Sequence, residues 1–269
     1  MVKKLFKHEF LSYARVMGLV YGILLTVAVA TKLIYTFDSD TLAYQIIKVF
    51  TNLIYWGGVA FAIGFSFAMG IIRFYRNLFT AEGYLSFTLP VTAGQHIVVK
   101  AVTAVTMNAI TLIVVALSFV IVMLGDALTE FCTGMGVFLE QMYGQLGADG
   151  VFFTIEAVIA LVVFSFTGIL LYYGCISIGQ MAKKNRILAA VGVYFAYYIL
   201  TQIVSTIITV VIATTASSYE VMPLLNWIAL HPMETIHIAF CVSIVLGVIF
   251  LLVEYLIIRY IMTKKLNLE

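Results

Sequence analysis

The chain has 269 residues, of which 63% are hydrophobic and only 10% charged, and its mean hydropathy is +1.10. This composition excludes a soluble globular domain and points to an integral membrane protein. The net charge of +2 follows from how basic residues are shared between the two membrane faces, so it is not a signal for nucleic acid.

A bilayer core about 30 Å thick needs roughly 20 apolar residues in helical form. Six stretches meet that requirement, at 16–36, 50–72, 97–124, 151–180, 187–215 and 236–262. They are apolar on every side, whereas the strands of an outer-membrane barrel alternate residue by residue. The expected fold is therefore all-α and integral to the membrane, a single transmembrane domain over 1–269 with six spans. Thirteen of the fifteen basic residues fall on one side: Lys3, Lys4, Lys7 and Arg15, then Arg73, Arg76 and Lys100, then Lys183, Lys184 and Arg186, then Arg259, Lys264 and Lys265. Only Lys32 and Lys48 lie opposite, where Asp38, Asp40, Asp126, Glu130, Glu140, Asp149 and Glu220 collect. Because basic residues in short loops stay inside, both termini are expected to be cytoplasmic.

Taken in chain order, the leader comes first. Phe6, Phe10, Tyr13 and Met17 recur at helical spacing while Lys3, Lys7 and Glu9 fall largely elsewhere, which predicts a short helix on the inner leaflet. A simple extension of the first span is the alternative. A basic opening before an apolar run also suits a secretory signal, but the run is long, lacks an Ala-x-Ala site and leads into further spans, so it is read as retained. In the first two spans, Gly18 with Gly22, and Ala60 with Gly64 and Ala68, have the small-residue spacing that lets another helix approach closely. Gly64-Phe65-Ser66-Phe67-Ala68 matches a nucleophile elbow only loosely and lacks its strand-to-helix setting, so an enzyme reading is set aside.

The second and third spans are joined by RFYRNLFTAEGYLSFTLPVTAGQHIVVK, residues Arg73 to Lys100, read as a polar and aromatic loop centred on 73–96. Arg73, Phe74, Tyr75, Arg76, Asn77, Leu78, Phe79 and the run from Glu82 to Pro90 mix aromatic anchors with charges, as protein contact surfaces do. Thr80 is expected to cap a short helix with Glu82 and Gly83 in its first turn, and Pro90 to stop it before the third span. An ordinary inter-helix loop is the alternative.

In the outer connection at 125–150, Phe131, Met135, Phe138, Leu139, Met142, Tyr143 and Leu146 repeat at helical spacing, predicting a helix in the outer interface. Glu156 lies near the outer end of the fourth span, where it can reach the interface. Tyr172, Tyr173, Tyr194, Tyr197, Tyr198 and Phe195 cluster near the inner halves of the fourth and fifth spans. They suit belt or packing residues, or the lining of a substrate path. The outer connection at 216–235 carries two prolines, a Trp and an apolar centre, which fits a broken, re-entrant segment, with an interfacial loop as the alternative. Glu254, towards the inner end of the last span, is the clearest intramembrane charge. A partner on another helix is expected for it, and a substrate or proton role is the sharper possibility.

Cys132, Cys175 and Cys241 show no Cys-x-x-Cys spacing, and disulfides or cysteine-bound metals are not expected. His8, His96, His231 and His237 lack the i, i+4 spacing of a zinc pair. No Gly-x-x-x-x-Gly-Lys-[Ser/Thr] loop is present, so any work driven by a nucleoside triphosphate has to come from another subunit.

With KKLFKHEF at the start, the Arg73 to Lys100 segment, YYGCISIGQMAKKNR after the fourth span, LIIRYIMTKKLNLE at the end and six spans with both ends inside, the chain resembles the membrane subunits of ABC-2 type transporters. These are small bacterial permeases of the plasma membrane, type V exporter-like in fold, that work with a separately encoded ATP-binding cassette protein. The resemblance implies a cytoplasmic coupling helix that fits a groove on the ATPase, and re-entrant outer helices before the last span. It places the coupling role on Asn77, Leu78, Phe79, Glu82, Gly83, Tyr84, Leu85 and Leu89. The tyrosine cluster and the intramembrane charge themselves mark Tyr173, Tyr197 and Glu254 as a possible substrate path. The resemblance implies no cofactor in this chain, with ATP and Mg bound by the partner ATPase, and a second permease subunit, identical or not, within membrane lipid. The implied task is export of a hydrophobic or amphipathic substrate such as a drug, peptide or lipid. A non-transporting receptor or assembly protein, whose loop recruits a cytoplasmic partner, is the alternative from another class. A secondary transporter is disfavoured, since the spans show neither several buried acids nor an inverted repeat.

Overall fold

The computed structural model describes residues 2–37, 39–80, 83, 88, 90–182, 184–215 and 222–264. Among these residues the elements are all helices: α1 (Val2–Thr36), α2 (Leu42–Phe79), α3 (Ala93–Met123), α4 (Asp126–Leu146), α5 (Ala148–Gly179), α6 (Arg186–Thr215), α7 (Met222–Leu230) and α8 (Pro232–Lys264). Six of them, α1, α2, α3, α5, α6 and α8, are long and apolar enough to cross a membrane, and the chain is a multi-pass, all-helical membrane protein. The six predicted spans fall on these six helices, the third and fourth running one residue past the helix end at Leu124 and Gln180. Contacts divide the chain into two compact units, 1–145 and 146–269.

In the first unit, α1 packs on both α2 and α3. Its buried residues Tyr13, Met17, Leu24, Ala28 and Thr31 fall at intervals of three, four or seven and so form one stripe. Leu24 and Ala28 meet Tyr55, Val59 and Ala62 of α2 and Val115 of α3, and Tyr13 and Met17 meet Met107 of α3. Lipid tails are as apolar as these side chains, so burial alone gives the helices little reason to associate, and interhelical hydrogen bonds matter more than in water. A polar network supplies them. The Tyr13 hydroxyl donates to the Ser66 carbonyl, Ser66 Oγ donates to Asn108 Oδ1 at 2.8 Å, and Thr111 Oγ1 donates to Ser66 Oγ at 2.9 Å. Tyr21 and Thr111 hydroxyls lie 2.7 Å apart, and those of Tyr55 and Ser118 3.0 Å apart. Ser66 is thus a buried mid-helix residue whose hydroxyl bonds α3 and whose carbonyl bonds α1, a packing role.

Three expectations change here. The leader is not a separate helix on the membrane surface: α1 runs unbroken from Val2 to Thr36. No Gly or Pro interrupts Lys3 to Met17, and Glu9, Ser12 and Tyr13 all contact α2, so the leader is held in line with the span. At 1.5 Å per residue a helix of this length exceeds the bilayer core by roughly 20 Å. Next, the small residues Gly18, Gly22 and Gly64 have nothing within 4 Å of where a Cβ would stand. Close approach occurs instead at Gly70, whose Cβ would lie 3.1 Å from Ala104 Cβ. Last, the long loop shrinks, because α2 continues to Phe79 and α3 begins at Ala93.

The helix predicted around 131–146 is present as α4, with no buried residue. Gly125 (φ 104°) and Gly147 (φ 56°) bracket it, and both backbone states favour glycine. The connection with two prolines is broken, α7 ending at Leu230 and α8 starting at Pro232, but Pro223 and residues 226–230 of α7 are exposed, so the burial against protein expected of a re-entrant segment is not seen among the described residues.

In the second unit α5 packs along α8, and α6 packs on α5. Glu156, two turns into α5, and His237, in the second turn of α8, contact each other, as do Thr167 and Gly247 further along. Separations of 81 and 80 residues for the two pairs show that α5 and α8 run parallel in a constant register. Between them, a Cβ on Gly247 would stand 2.9 Å from Val163 Cγ1 and 3.2 Å from Phe164.

Candidate functional site

The first candidate lies where α1, α2 and α3 meet beneath the 80–92 connection. Glu9, two turns into α1, is its centre. Glu9 Oε2 accepts from Arg73 at 3.0 Å, and Oε1 accepts from Lys100 Nζ at 2.8 Å and from Asn77 Nδ2 at 3.0 Å. The Glu9, Arg73 and Lys100 side chains are only 12%, 17% and 5% exposed. Arg73 also donates to Ser12 Oγ at 3.1 Å and sits over the Tyr13 ring at 5.5 Å, a cation–π geometry. One carboxylate thus joins three helices through two cations and an amide. Arg73 and Lys100 had marked the segment as a solvated loop; in the fold both cations are neutralised inside the unit.

The residues expected to dock a partner divide. Leu78 and Phe79 are buried, Leu78 completely, and Phe74 and Phe79 meet edge to face at 5.6 Å. Asn77 is taken up by Glu9. These three are drawn into the packing at the end of α2 instead of standing exposed. Gly83 is buried and its N–H donates to the Thr80 carbonyl at 2.7 Å. A Cβ there would run into the Leu78 carbonyl. Thr80 closes α2, and its hydroxyl donates back to the Arg76 carbonyl; the short helix expected after it falls largely outside the described residues. Glu82, Tyr84, Leu85 and Leu89 lie outside the described residues. The far end is fixed by a capping box: Thr92 Oγ1 accepts from the Gln95 N–H at 3.3 Å and Gln95 Oε1 from the Thr92 N–H at 3.0 Å. The Thr-x-x-Gln spacing that signals it is plain in the sequence; the pairing of Glu9 with residues 64 and 91 positions away leaves no local trace.

The second candidate lies in the second unit. Tyr173 of α5 is buried and Tyr197 of α6 half-buried, while Tyr172 stacks on Tyr194 at 5.4 Å. Phe195 and Tyr198 are exposed. Glu254 of α8 is 9% exposed, and its Oε2 has no hydrogen-bond partner among the described residues. The partner expected on another helix is therefore not found there; Glu254 has only the electrostatic influence it exerts on Cys175 and Tyr197. Glu156 does find one, His237 Nδ1 at 2.9 Å, with Phe153 stacked on the imidazole at 4.2 Å. The sequence places Glu156 within reach of the interface and gives His237 no zinc spacing, but it does not show their pairing, since the i, i+4 rule speaks only of neighbours on one helix.

No family model, no curated protein and no solved structure matches the chain.

Proposed function

We propose that the chain is the membrane subunit of an ABC-2 type exporter in a bacterial plasma membrane, with both termini cytoplasmic. It works as a homo- or heterodimer with two cassette ATPase subunits and moves a hydrophobic or amphipathic substrate outward by alternating access. The observation that carries this reading is the Glu9 cluster. The helix entering the 80–92 connection and the helix leaving it are both bound to α1 by one carboxylate. A displacement imposed on the connection is then delivered to three spans together. The chain has no phosphate-binding loop of its own, so the displacement has to originate in a partner. In this reading Tyr84, Glu82, Leu85 and Leu89 meet the ATPase, while Asn77, Leu78 and Phe79 support them from beneath.

Affinity-tagged full-length chain, extracted in mild detergent, is expected to bring down a cassette ATPase identified by mass spectrometry. Tyr84→Ala or Glu82→Ala should lower substrate-stimulated ATP turnover at least tenfold, the usual effect of removing an interface anchor worth about 1.4 kcal/mol or more. Recovery of no cassette ATPase, or turnover indifferent to both substitutions, rejects the coupling role.

A second membrane subunit is supported by α6. Gln202 stands midway along that helix, exposed and without a hydrogen bond from its amide among the described residues. A primary amide in hydrocarbon seeks a partner helix, worth about 0.6–2 kcal/mol. Gln202→Leu is expected to shift the detergent-solubilised permease from dimer towards monomer at low protein concentration, read by light scattering; an unchanged mass excludes this contact.

A further inference from the structure

Glu254 occupies an unusual place. Gly247, Glu254, Ile258 and Ile261 are the buried residues of α8 together with Met262, and their intervals of seven, four and three put the first four on one stripe. Gly247 lies in the seam with α5, so Glu254, two turns on, belongs to the same seam. The constant register of 80–81 residues set by Glu156 with His237 and by Thr167 with Gly247 puts Gly174 opposite Glu254, flanked by Tyr173 and Cys175. Electrostatic influence of Glu254 on Cys175 and on Tyr197 agrees with that register and adds α6 to the surroundings. Gly174 is buried, yet a Cβ built on it would find nothing within 4 Å. Room is therefore left in the seam at the level of the carboxylate.

A carboxylate without a hydrogen bond is a poor component for an apolar helix seam, because burying charge in a membrane protein is costly unless something answers it. Among the described residues no cation or donor of the chain does so. Phenol rings at Tyr173 and Tyr197, a thiol at Cys175 and an open space at Gly174 are the setting in which an organic cation is bound by one anion and by aromatic faces. We propose that Glu254 receives the positively charged group of an amphipathic organic cation, with Tyr197 and the residues flanking Gly174 forming the wall around it. This names a substrate class for the exporter and rests on that reading of the chain.

Purified full-length chain in phosphatidylcholine nanodiscs is titrated with tetraphenylphosphonium, using empty discs to subtract partitioning into lipid and tetraphenylborate as an anion of similar shape. Saturable binding of the cation and none of the anion is expected. Glu254→Gln should weaken the cation at least tenfold, Glu254→Asp less, and Tyr197→Leu several-fold. Glu254→Gln should unfold no earlier than the parent, because it removes an unanswered charge from an apolar seam. Absence of saturable cation binding by the parent, equal binding by Glu254→Gln, or equal binding of the borate overturns the proposal. Equal binding would mark Glu254 as a residue that keeps its own proton. The titration uses the membrane chain alone, so its failure leaves ATPase capture untouched, and failure of capture leaves the isotherm standing.

Discussion

Glu9→Gln is expected to lower the thermal unfolding midpoint of the detergent-solubilised protein by on the order of 10 °C. The neutral amide keeps the shape of the side chain but takes the carboxylate from between Arg73 and Lys100. Breaking a largely buried pair by removing one member costs about 3–5 kcal/mol, chiefly because the remaining charge is left unanswered. Here two cations lose the carboxylate they share, one of them with a side chain only 5% exposed. A midpoint change of a few degrees per kcal/mol then gives the stated shift. The effect is electrostatic, which a double-mutant cycle can establish: Lys100→Gln added to Glu9→Gln should restore part of the loss, whereas two independent packing defects would add. If Glu9→Gln melts with the parent, the cluster contributes nothing and the rigid link beneath the 80–92 connection fails with it. The functional consequence has the same sign, since α1 no longer follows α2 and α3 and ATP turnover stimulated by substrate should fall even where the fold persists.

The contrast between what the chain announced and what it concealed follows from the solvent. Hydrocarbon offers no partner for a backbone amide, so every span has to be a long apolar helix, and all six are readable as such, although α1 starts fourteen residues before its expected span and α2 overruns its own by eight and seven. Local signals near the helix ends were equally available: Gly125 and Gly147 around α4, Thr92 with Gln95 before α3, and Pro232 at the break between α7 and α8. Position in the third dimension was not. Arg73 and Lys100 read as loop charges because no nearby residue answers them; their anion comes from Glu9, in the leader. Leu78 and Phe79 read as exposed anchors because their neighbours are polar, and are buried because α2 continues past Arg73. Small-residue spacing showed where a helix could be approached, at Gly18, Gly22 and Gly64, and could not show which glycines are in fact approached, since that depends on the facing helix.

Those approached glycines carry the second large effect, at the turn from α5 into α6. Gly179 is buried in the last turn of α5, and a Cβ on it would stand 2.6 Å from both the Cα and the N of Ala190 and 2.7 Å from its Cβ. The obstacle is backbone, which cannot rotate away as a side chain would, so Gly179→Ala forces the two helices apart. Overpacking of this kind costs about 1–3 kcal/mol, and Gly179→Leu should exceed that. The consequence is concentrated on α6, which has no buried residue of its own and so has little else to hold it in place. Trypsin should cut faster at Lys184, which is exposed in the connection, and the unfolding midpoint should drop. Gly192 supplies the opposite case on the same helix, since a Cβ there meets nothing within 4 Å. Gly192→Ala gains helix propensity of roughly 0.5–1 kcal/mol with no clash and should leave cleavage unchanged and stability equal or higher. The opposed signs of two identical substitutions thirteen residues apart are the test: if alanine at 179 is as well tolerated as alanine at 192, the close contact that sets α6, and with it Tyr197 and Gln202, against α5 does not exist.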